Sequence, residues 1–439
     1  MNRKLLLIQP SPYGPDGRPV KKSRLHFVGL ALPLLAALTP DTWRVEICLE
    51  TIEDVPFDTD ADLVGISTMG HGIIRSFDIA DAFRARGKTV IMGGYMASLV
   101  PDEARKHCDA VLIGDAEDVW HTILDDVARG ALQPFYQSKL ETLCPPVPRY
   151  ALLTSKRIGA WLPVQAGRGC PHSCSFCSVH CLYRGTYLQR PVEDVMRDIR
   201  RVRELGYRRF LLLDDNIHAS PAYLRALCRE IEPLGMQWMS QCAITIARDP
   251  ALLACLAASG CTTLSFGLES ISPESLQSLD KAWVDPGEYS ALIAAIRKAG
   301  IAVSTEMVIG GDGDTPSSIR DTATFIESNR IVLPRFYILT PIPGTDFFRQ
   351  MKAEERLCDE NIHAYDGTRA VHHARRMDAA ELTAAYWELY DRIYSLRSIL
   401  QRTILNRHVW QKPSQLMLYL AANLYYRHHI RQRIPPNIF

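Results

Sequence analysis

The sequence is short of several things, and each shortage narrows what the chain can do. Its charges nearly cancel, with a formal net of +1 over 439 residues, which argues against a large electrostatic surface for nucleic acid. The longest apolar helix-like run, residues 27–38, carries Pro33 and falls short of the roughly 20 residues needed to cross a bilayer. Met1-Asn2-Arg3-Lys4-Leu5 runs straight into a strand-like segment, with no signal-peptide h-region. No G-x-G-x-x-G fingerprint follows that strand, so a nicotinamide or flavin site lacks its usual mark. Hydrophobic residues at 47% and charged residues at 23% describe a globular chain long enough for two or three domains with real cores. Twelve cysteines without a secretory leader point to a reducing compartment, where thiols serve metals or catalysis before disulfides. The expected location is the cytoplasm.

Chemistry concentrates in Gly167-Arg168-Gly169-Cys170-Pro171-His172-Ser173-Cys174-Ser175-Phe176-Cys177. Here three cysteines sit at C-x3-C-x2-C in a glycine-rich loop after a short apolar run. Three thiolates on one tight loop can ligate three irons of a 4Fe–4S cubane and leave the fourth open. Gly167 and Gly169 allow the backbone to bend near the cluster, and Phe176 would shield one side from water. The alternative is a structural zinc site, which needs a fourth protein ligand. His172, His180 and Cys181 are near enough in sequence to keep it open.

The periodicities read as α/β throughout. Strand candidates at 4–9, 44–49, 63–68, 89–92 and 110–113 alternate with helical stretches, as in a doubly wound Rossmann-like parallel sheet over residues 1–140. The strand ends carry small residues that permit close backbone approach. A proline-rich linker is expected at 141–159. Six further strands, at 162–166, 209–213, 237–241, 262–266, 302–309 and 335–339, predict a partial (β/α)6 barrel over 160–345. From 346 to 439 the chain reads as mainly helical. Its aromatics Tyr386, Trp387, Tyr390 and Tyr394 are expected to face a core, and Tyr425, Tyr426 and the basic stretch after them to be a solvated terminus.

The cysteine loop resembles the radical S-adenosylmethionine (SAM) signature, C-x3-C-x-aromatic-C, at every defining position. The order Gly93-Gly94, Pro101-Asp102-Glu103, Gly114-Asp115-Ala116-Glu117 resembles the cobalamin-binding domain fused ahead of many radical SAM domains. The resemblance implies a cobalamin-dependent radical SAM enzyme, with Cys170, Cys174 and Cys177 as iron ligands. Phe176, Asp214, Gln241, Glu269, Ser270 and Gly310 are then expected around the cluster and SAM. Met69, Gly70, His71, Gly93, Gly94, Tyr95, Gly114 and Glu117 are expected around the corrin. The D-x-H-x-x-G motif of the classical cobalamin methyltransferases is missing: Arg24 stands where the aspartate would precede His26. His26 and His71 are therefore expected to pack or hydrogen-bond, and cobalamin to bind with its own base displaced.

In this class the commonest reaction is methylation of an unactivated carbon. A 5′-deoxyadenosyl radical made from SAM activates the substrate, and methylcobalamin gives the methyl group. The expected substrate is a small molecule, a lipid or a tetrapyrrole, and the expected partner an external electron donor such as flavodoxin or ferredoxin. The alternative with the same cofactors is a cyclisation or ring rearrangement without net methyl transfer. A non-enzymatic cobalamin or iron–sulfur sensor is the rival from another class. No general base stands out; Tyr337 and Glu306 are the candidates for moving a proton or hydrogen. Asp215 and Asn216 are equally readable as helix caps.

Overall fold

The computed structural model describes residues 3–14, 16–406, 409 and 413–435. By compactness the chain divides into two units, residues 1–167 with 188–211, and residues 168–187 with 212–437. In the first unit, β1 (Arg3–Gln9), β2 (Trp43–Leu49), β3 (Leu63–Ser67), β4 (Thr89–Gly93), β5 (Ala110–Ile113) and β6 (Phe135–Gln137) form a sheet of order β2-β1-β3-β4-β5-β6. All its pairings are parallel. Leu5 to Ile8 of β1 are all buried, the unbroken apolar run expected of a strand covered on both faces. The strands are joined through helices Ala31–Leu38, Ile73–Arg84, Pro101–His107 and Trp120–Arg129. Pro101 opens its helix, Asp102 and Glu103 lie in the first turn, and Arg105, Lys106 and His107 in the last. That arrangement suits both the fixed proline φ and the helix dipole. Strand order reverses between β1 and β3, so the loops after these strands flank the switch point where such sheets bind ligands.

Two features of this unit depart from the sequence reading. The short helix Tyr95–Leu99 opens directly after Gly94, where propensity gives no helix. Ahead of the linker expected at 141–159, the chain adds a strand the sequence did not suggest, β6, which pairs with β5 at the sheet edge. Three residues are too few for alternation to register. The linker itself is tied down. The Tyr150 hydroxyl donates to the Pro163 carbonyl at 2.7 Å, and the Gly159 N–H donates to the Leu25 carbonyl at 2.8 Å.

A second six-stranded sheet contains β7 (Leu162–Gln165), β10 (Arg209–Leu213), β11 (Gln237–Cys242), β12 (Cys261–Glu269), β13 (Ala302–Ile309) and β14 (Leu333–Ile338). Its order is β14-β13-β12-β11-β10-β7, and β8 (Gly167–Gly169) with β9 (Tyr187–Gln189) make a small two-stranded sheet. β11 through β14 pair in parallel. Helices start where the sequence provides caps: the Asp249 carboxylate accepts the Leu252 N–H, and Thr315 with Ser318 forms a capping box. The result is a parallel α/β barrel-like unit whose strand ends share one side, as the sequence predicts.

The C-terminal helix Ala379–Ile393 lies along β14, and its aromatic stripe faces inward as expected. The Tyr390 hydroxyl accepts the Phe336 N–H at 2.9 Å and lies 2.8 Å from the Phe336 carbonyl. The Tyr394 hydroxyl donates to the Pro334 carbonyl at 2.6 Å. Further on, Tyr426 is buried while Tyr425 is exposed, so the segment expected to be solvated is so on one face only.

Candidate active site

The cysteine loop lies in the second unit and is held by backbone contacts. Gly169 has φ +82°, and a Cβ there would stand 2.1 Å from the Thr186 carbonyl oxygen, so only glycine fits. Its N–H donates to Asp215 at 2.7 Å. The Ser175 N–H reaches the Leu279 carbonyl at 3.4 Å, and the Phe347 N–H donates to the Ser175 carbonyl at 2.9 Å. Phe176 packs against Leu279, Val308, Leu339, Phe347 and Met351, an apolar backing for one side of the loop. Cys174 is buried, Cys170 and Cys177 half-buried, and none is in a disulfide. Burial pushes the Cys174 thiol up to about 12 and raises Cys170 and Cys177. Such thiols ionise only when a cation takes the place of the proton.

Two readings of the loop can be separated by its surroundings. Among the described residues, no three His, Cys, Asp or Glu side chains converge on a point that one metal ion could occupy. Of the sequence neighbours offered as a fourth zinc ligand, two are engaged elsewhere, while the buried His180 Nδ1 has no hydrogen-bond partner. The Cys181 thiol donates to the Gly344 carbonyl at 2.9 Å, and His172 stacks on Trp283 with ring centroids 3.8 Å apart. Three thiols on one tight loop suit a cluster in which each binds a different iron.

Around this loop stand most of the residues expected from the sequence. Asp214 is buried at the end of β10. It accepts from the Tyr187 hydroxyl at 2.8 Å and from the Asn216 N–H at 2.9 Å. Burial outweighs these bonds and pushes its carboxyl up to about 7. Asp215 and Asn216 serve as tethers more than as caps: Asp215 holds Gly169, and Asn216 accepts from the Ala243 N–H at 3.2 Å. Gln241 is exposed at the end of β11. Glu269, at the end of β12, has φ +59° and is buried beside Ser270. A register break between Gly267 and Glu269 marks a bulge, a common means of re-aiming a side chain near a site. Gly310 has φ +114° and directly follows β13.

The sequence reading overlooked three residues. Lys281 is buried and donates to Glu269 at 2.7 Å and to the Gly267 carbonyl at 2.8 Å. Burial works against its charge, but Glu269 and Cys174 outweigh it and hold the ammonium ionised. Asp314 accepts the Gly310 and Gly311 N–H groups at 2.8 and 3.0 Å and the Ser275 hydroxyl at 2.7 Å, fixing the turn after β13. Arg335, buried on β14, pairs with Glu306, while Ser265 donates to the same carboxylate at 3.2 Å. Glu306 is thus committed to an ion pair. Tyr337, also offered for hydrogen transfer, packs half-buried against the same apolar cluster as Phe176, and burial raises its hydroxyl. Lys281 follows no motif, so only the fold could reveal it.

In the first unit the loops after β3, β4 and β5 carry the other set. Gly94 has φ +91° and ψ 172°, and a Cβ there would meet the Thr68 carbonyl at 2.6 Å. Gly70 also has positive φ and lies against the Tyr95 hydroxyl. Gly93 closes β4, and the Gly114 N–H donates to the Ser98 hydroxyl at 2.9 Å. Met69 and His71 are exposed; Glu117, half-buried, accepts the Ala116 N–H at 3.1 Å. His26 lies on the surface of the same unit, where partial shielding of its ring with nearby Lys22 and Arg24 lowers its pKa.

Comparison with known proteins joins these observations. Residues 164–326, which hold the cysteine loop and the strand ends around it, match the radical SAM superfamily. That segment is a radical SAM domain. Over 91% of its length, this chain is 29% identical to a bacteriochlorophyllide d C-12(1)-methyltransferase of Chlorobaculum tepidum, covering 89% of that protein. It is 27% identical to a hopanoid C-2 methylase of Rhodopseudomonas palustris, over 75% of this chain and 65% of that one. In fold it resembles the radical SAM methyltransferase TsrM of Kitasatospora setae, solved with cobalamin and a 4Fe–4S cluster. The TM-score is 0.65 at 18% identity, covering 81% of this chain and 75% of TsrM. It also resembles the cobalamin-dependent enzyme OxsB, with a TM-score of 0.69 at 11% identity, over 98% and 71%. The doubly wound sheet followed by the barrel-like sheet is therefore the fold of cobalamin-dependent radical SAM proteins.

Proposed function

We propose that this chain is a cobalamin-dependent radical SAM methyltransferase acting on an unactivated carbon of a small-molecule, lipid or tetrapyrrole substrate. The observation that carries this reading is the cysteine loop: three thiols at C-x3-C-x2-C, pinned by Asp215 and backed by Phe176, beside a strand end whose acid and base are already paired. The methyltransferase names of the relatives favour net methyl transfer over ring rearrangement. When bound, the reduced cluster and SAM supply a 5′-deoxyadenosyl radical, and cobalamin supplies the methyl donor.

The chain's own residues bind, orient and exclude water. Cys170, Cys174 and Cys177 hold the cluster, and Lys281 brings a cation beside them that offsets thiolate charge. Glu269, Ser270 and Asp214 offer acceptors at neighbouring strand ends for the cationic and hydroxyl groups of SAM. Gly310 shapes the turn after β13 that Asp314 holds, with Gln241 at the rim. Met69, Gly70, His71, Gly93, Gly94, Tyr95, Gly114 and Glu117 lie on the strand-end loops that would receive cobalamin. No helix among the described residues is long and apolar enough to cross a membrane. Electrons would come from an external donor such as flavodoxin or ferredoxin.

The test is anaerobic protein reconstituted with cluster and cobalamin, given SAM and a strong reductant, with 5′-deoxyadenosine and S-adenosylhomocysteine measured by mass spectrometry. Wild type should release both, and Cys174→Ala should fall to background and lose cluster absorbance. Deoxyadenosine without S-adenosylhomocysteine would count against methyl transfer. Absence of both the cluster and the nucleoside in wild type would return the three cysteines to a structural metal site.

A further inference from the structure

The C-terminal helix Pro413–Arg431 is apolar on two faces. One face packs inward through Tyr419, Asn423, Tyr426 and Ile430, all buried. The Asn423 amide donates to the Val332 carbonyl at 3.0 Å. At helical spacing, Met417, Ala421, Leu424 and Tyr425 form a second stripe with Leu418 at its margin. Met417 is 66% exposed, Leu418 50%, Leu424 45% and Tyr425 37%. A surface helix of a water-soluble domain ordinarily turns charge outward. Seven of the nine exposed large apolar side chains among the described residues lie between Leu396 and Tyr425, which marks an interaction surface.

Charge selects the occupant. From Arg392 to Phe439 the sequence has eight Lys or Arg residues and no Asp or Glu; of these, Arg392 pairs with Glu327, Arg433 pairs with Asp391, and Arg402 is buried. Arg397 and Arg431 are exposed on the two helices that present these apolar groups. A second copy of the chain docking on this face would set like charges together across a two-fold axis. Nucleic acid would leave the Leu and Met side chains uncovered. A stripe of Met, Leu and Tyr flanked by Arg and His, without acid, matches an anionic bilayer surface, where the apolar groups enter the headgroup boundary and the cations meet phosphates.

We propose that the outward face of the Pro413–Arg431 helix, with Leu396 and Leu400 of the preceding helix, docks this chain peripherally on anionic phospholipid. This goes beyond the proposed methyl transfer and does not depend on it. The experiment is co-sedimentation of the full chain with vesicles of phosphatidylcholine containing phosphatidylglycerol, and of phosphatidylcholine alone. Wild type should pellet with the anionic vesicles and stay in solution with the neutral ones. Met417→Ser/Leu424→Ser should reduce pelleting about tenfold, and Arg397→Gln/Arg431→Gln should reduce it to the level seen in high salt. Unchanged thermal melting of both variants would show that the fold is intact. Wild type remaining in solution with both vesicles would overturn the proposal. So would equal pelleting of wild type and variants, or light scattering showing a dimer that Met417→Ser/Leu424→Ser dissociates.

Discussion

The two units build their candidate sites from opposite materials. At the strand ends of the second unit, charged side chains are buried and cross-linked. Lys281 is set on Glu269, Asp215 on Gly169, Asp314 on the Gly310 turn, and Tyr187 on Asp214. At the strand ends of the first unit the work falls to the backbone, through Gly70, Gly94 and Gly114 at positive φ. In the proposed function, the second unit's site would offer fixed charges to SAM and the first unit's site main-chain groups to cobalamin. The two should therefore fail independently, and each variant below separates them.

The largest separation is expected from Gly94→Ala. Its conformation lies in a region nearly confined to glycine, at a cost of about 1–3 kcal/mol, and the added carbon would press on the Thr68 carbonyl. Cobalamin retention, read by absorbance after gel filtration, should drop about tenfold or more, while iron content stays at the wild-type level. A parallel loss of iron would show that the two sites are one cooperative structure.

Lys281→Met separates the sites less sharply but costs more stability, since it leaves the Glu269 carboxylate buried without its partner. A loss of about 3–5 kcal/mol is expected, visible in urea unfolding, and Lys281→Met/Glu269→Gln should recover part of it. Cobalamin retention should be unaffected. No recovery in the double variant would mean that Lys281 acts through the cluster loop instead of through Glu269.

The smallest effect is a pH slope. The Asp214 carboxyl is raised by burial to about 7 in the folded chain, above its unfolded value. Its contribution is therefore complete at acid pH and lost as pH rises towards and through 7, by at most about 4 kcal/mol. Asp214→Asn should flatten the change in urea midpoint between pH 5 and pH 8, with the largest rise over wild type at pH 8. An unaltered slope in the variant would place the titration on another group.

The same contrast governs how much could be read from the chain. The cysteine loop was legible because its spacing encodes its chemistry. Strand positions followed from β-rich runs, with β10 and β13 found at their full extent. Glycine order marked the loops of the first unit. Lys281, Asp314 and Arg335 were not legible, since each acts on a partner fixed only by the fold. Lys281 lies twelve positions beyond Glu269, and Arg335 meets Glu306 through strand register. Glu306 looked like an available carboxylate because the cation across the sheet is invisible in sequence. β6 was missed because an edge strand of three residues shows no period.

The tyrosines that lie along β14 have a consequence for how the protein can be handled. β14 is the last strand of its sheet, and Tyr390 and Tyr394 occupy outward main-chain groups of Pro334 and Phe336. A chain shortened before Ala379 would keep every cysteine and every strand, yet expose a bare strand margin able to recruit its own kind. Such a fragment should form inclusion bodies when expressed, and a minimal catalytic version of this protein must extend at least through Tyr394.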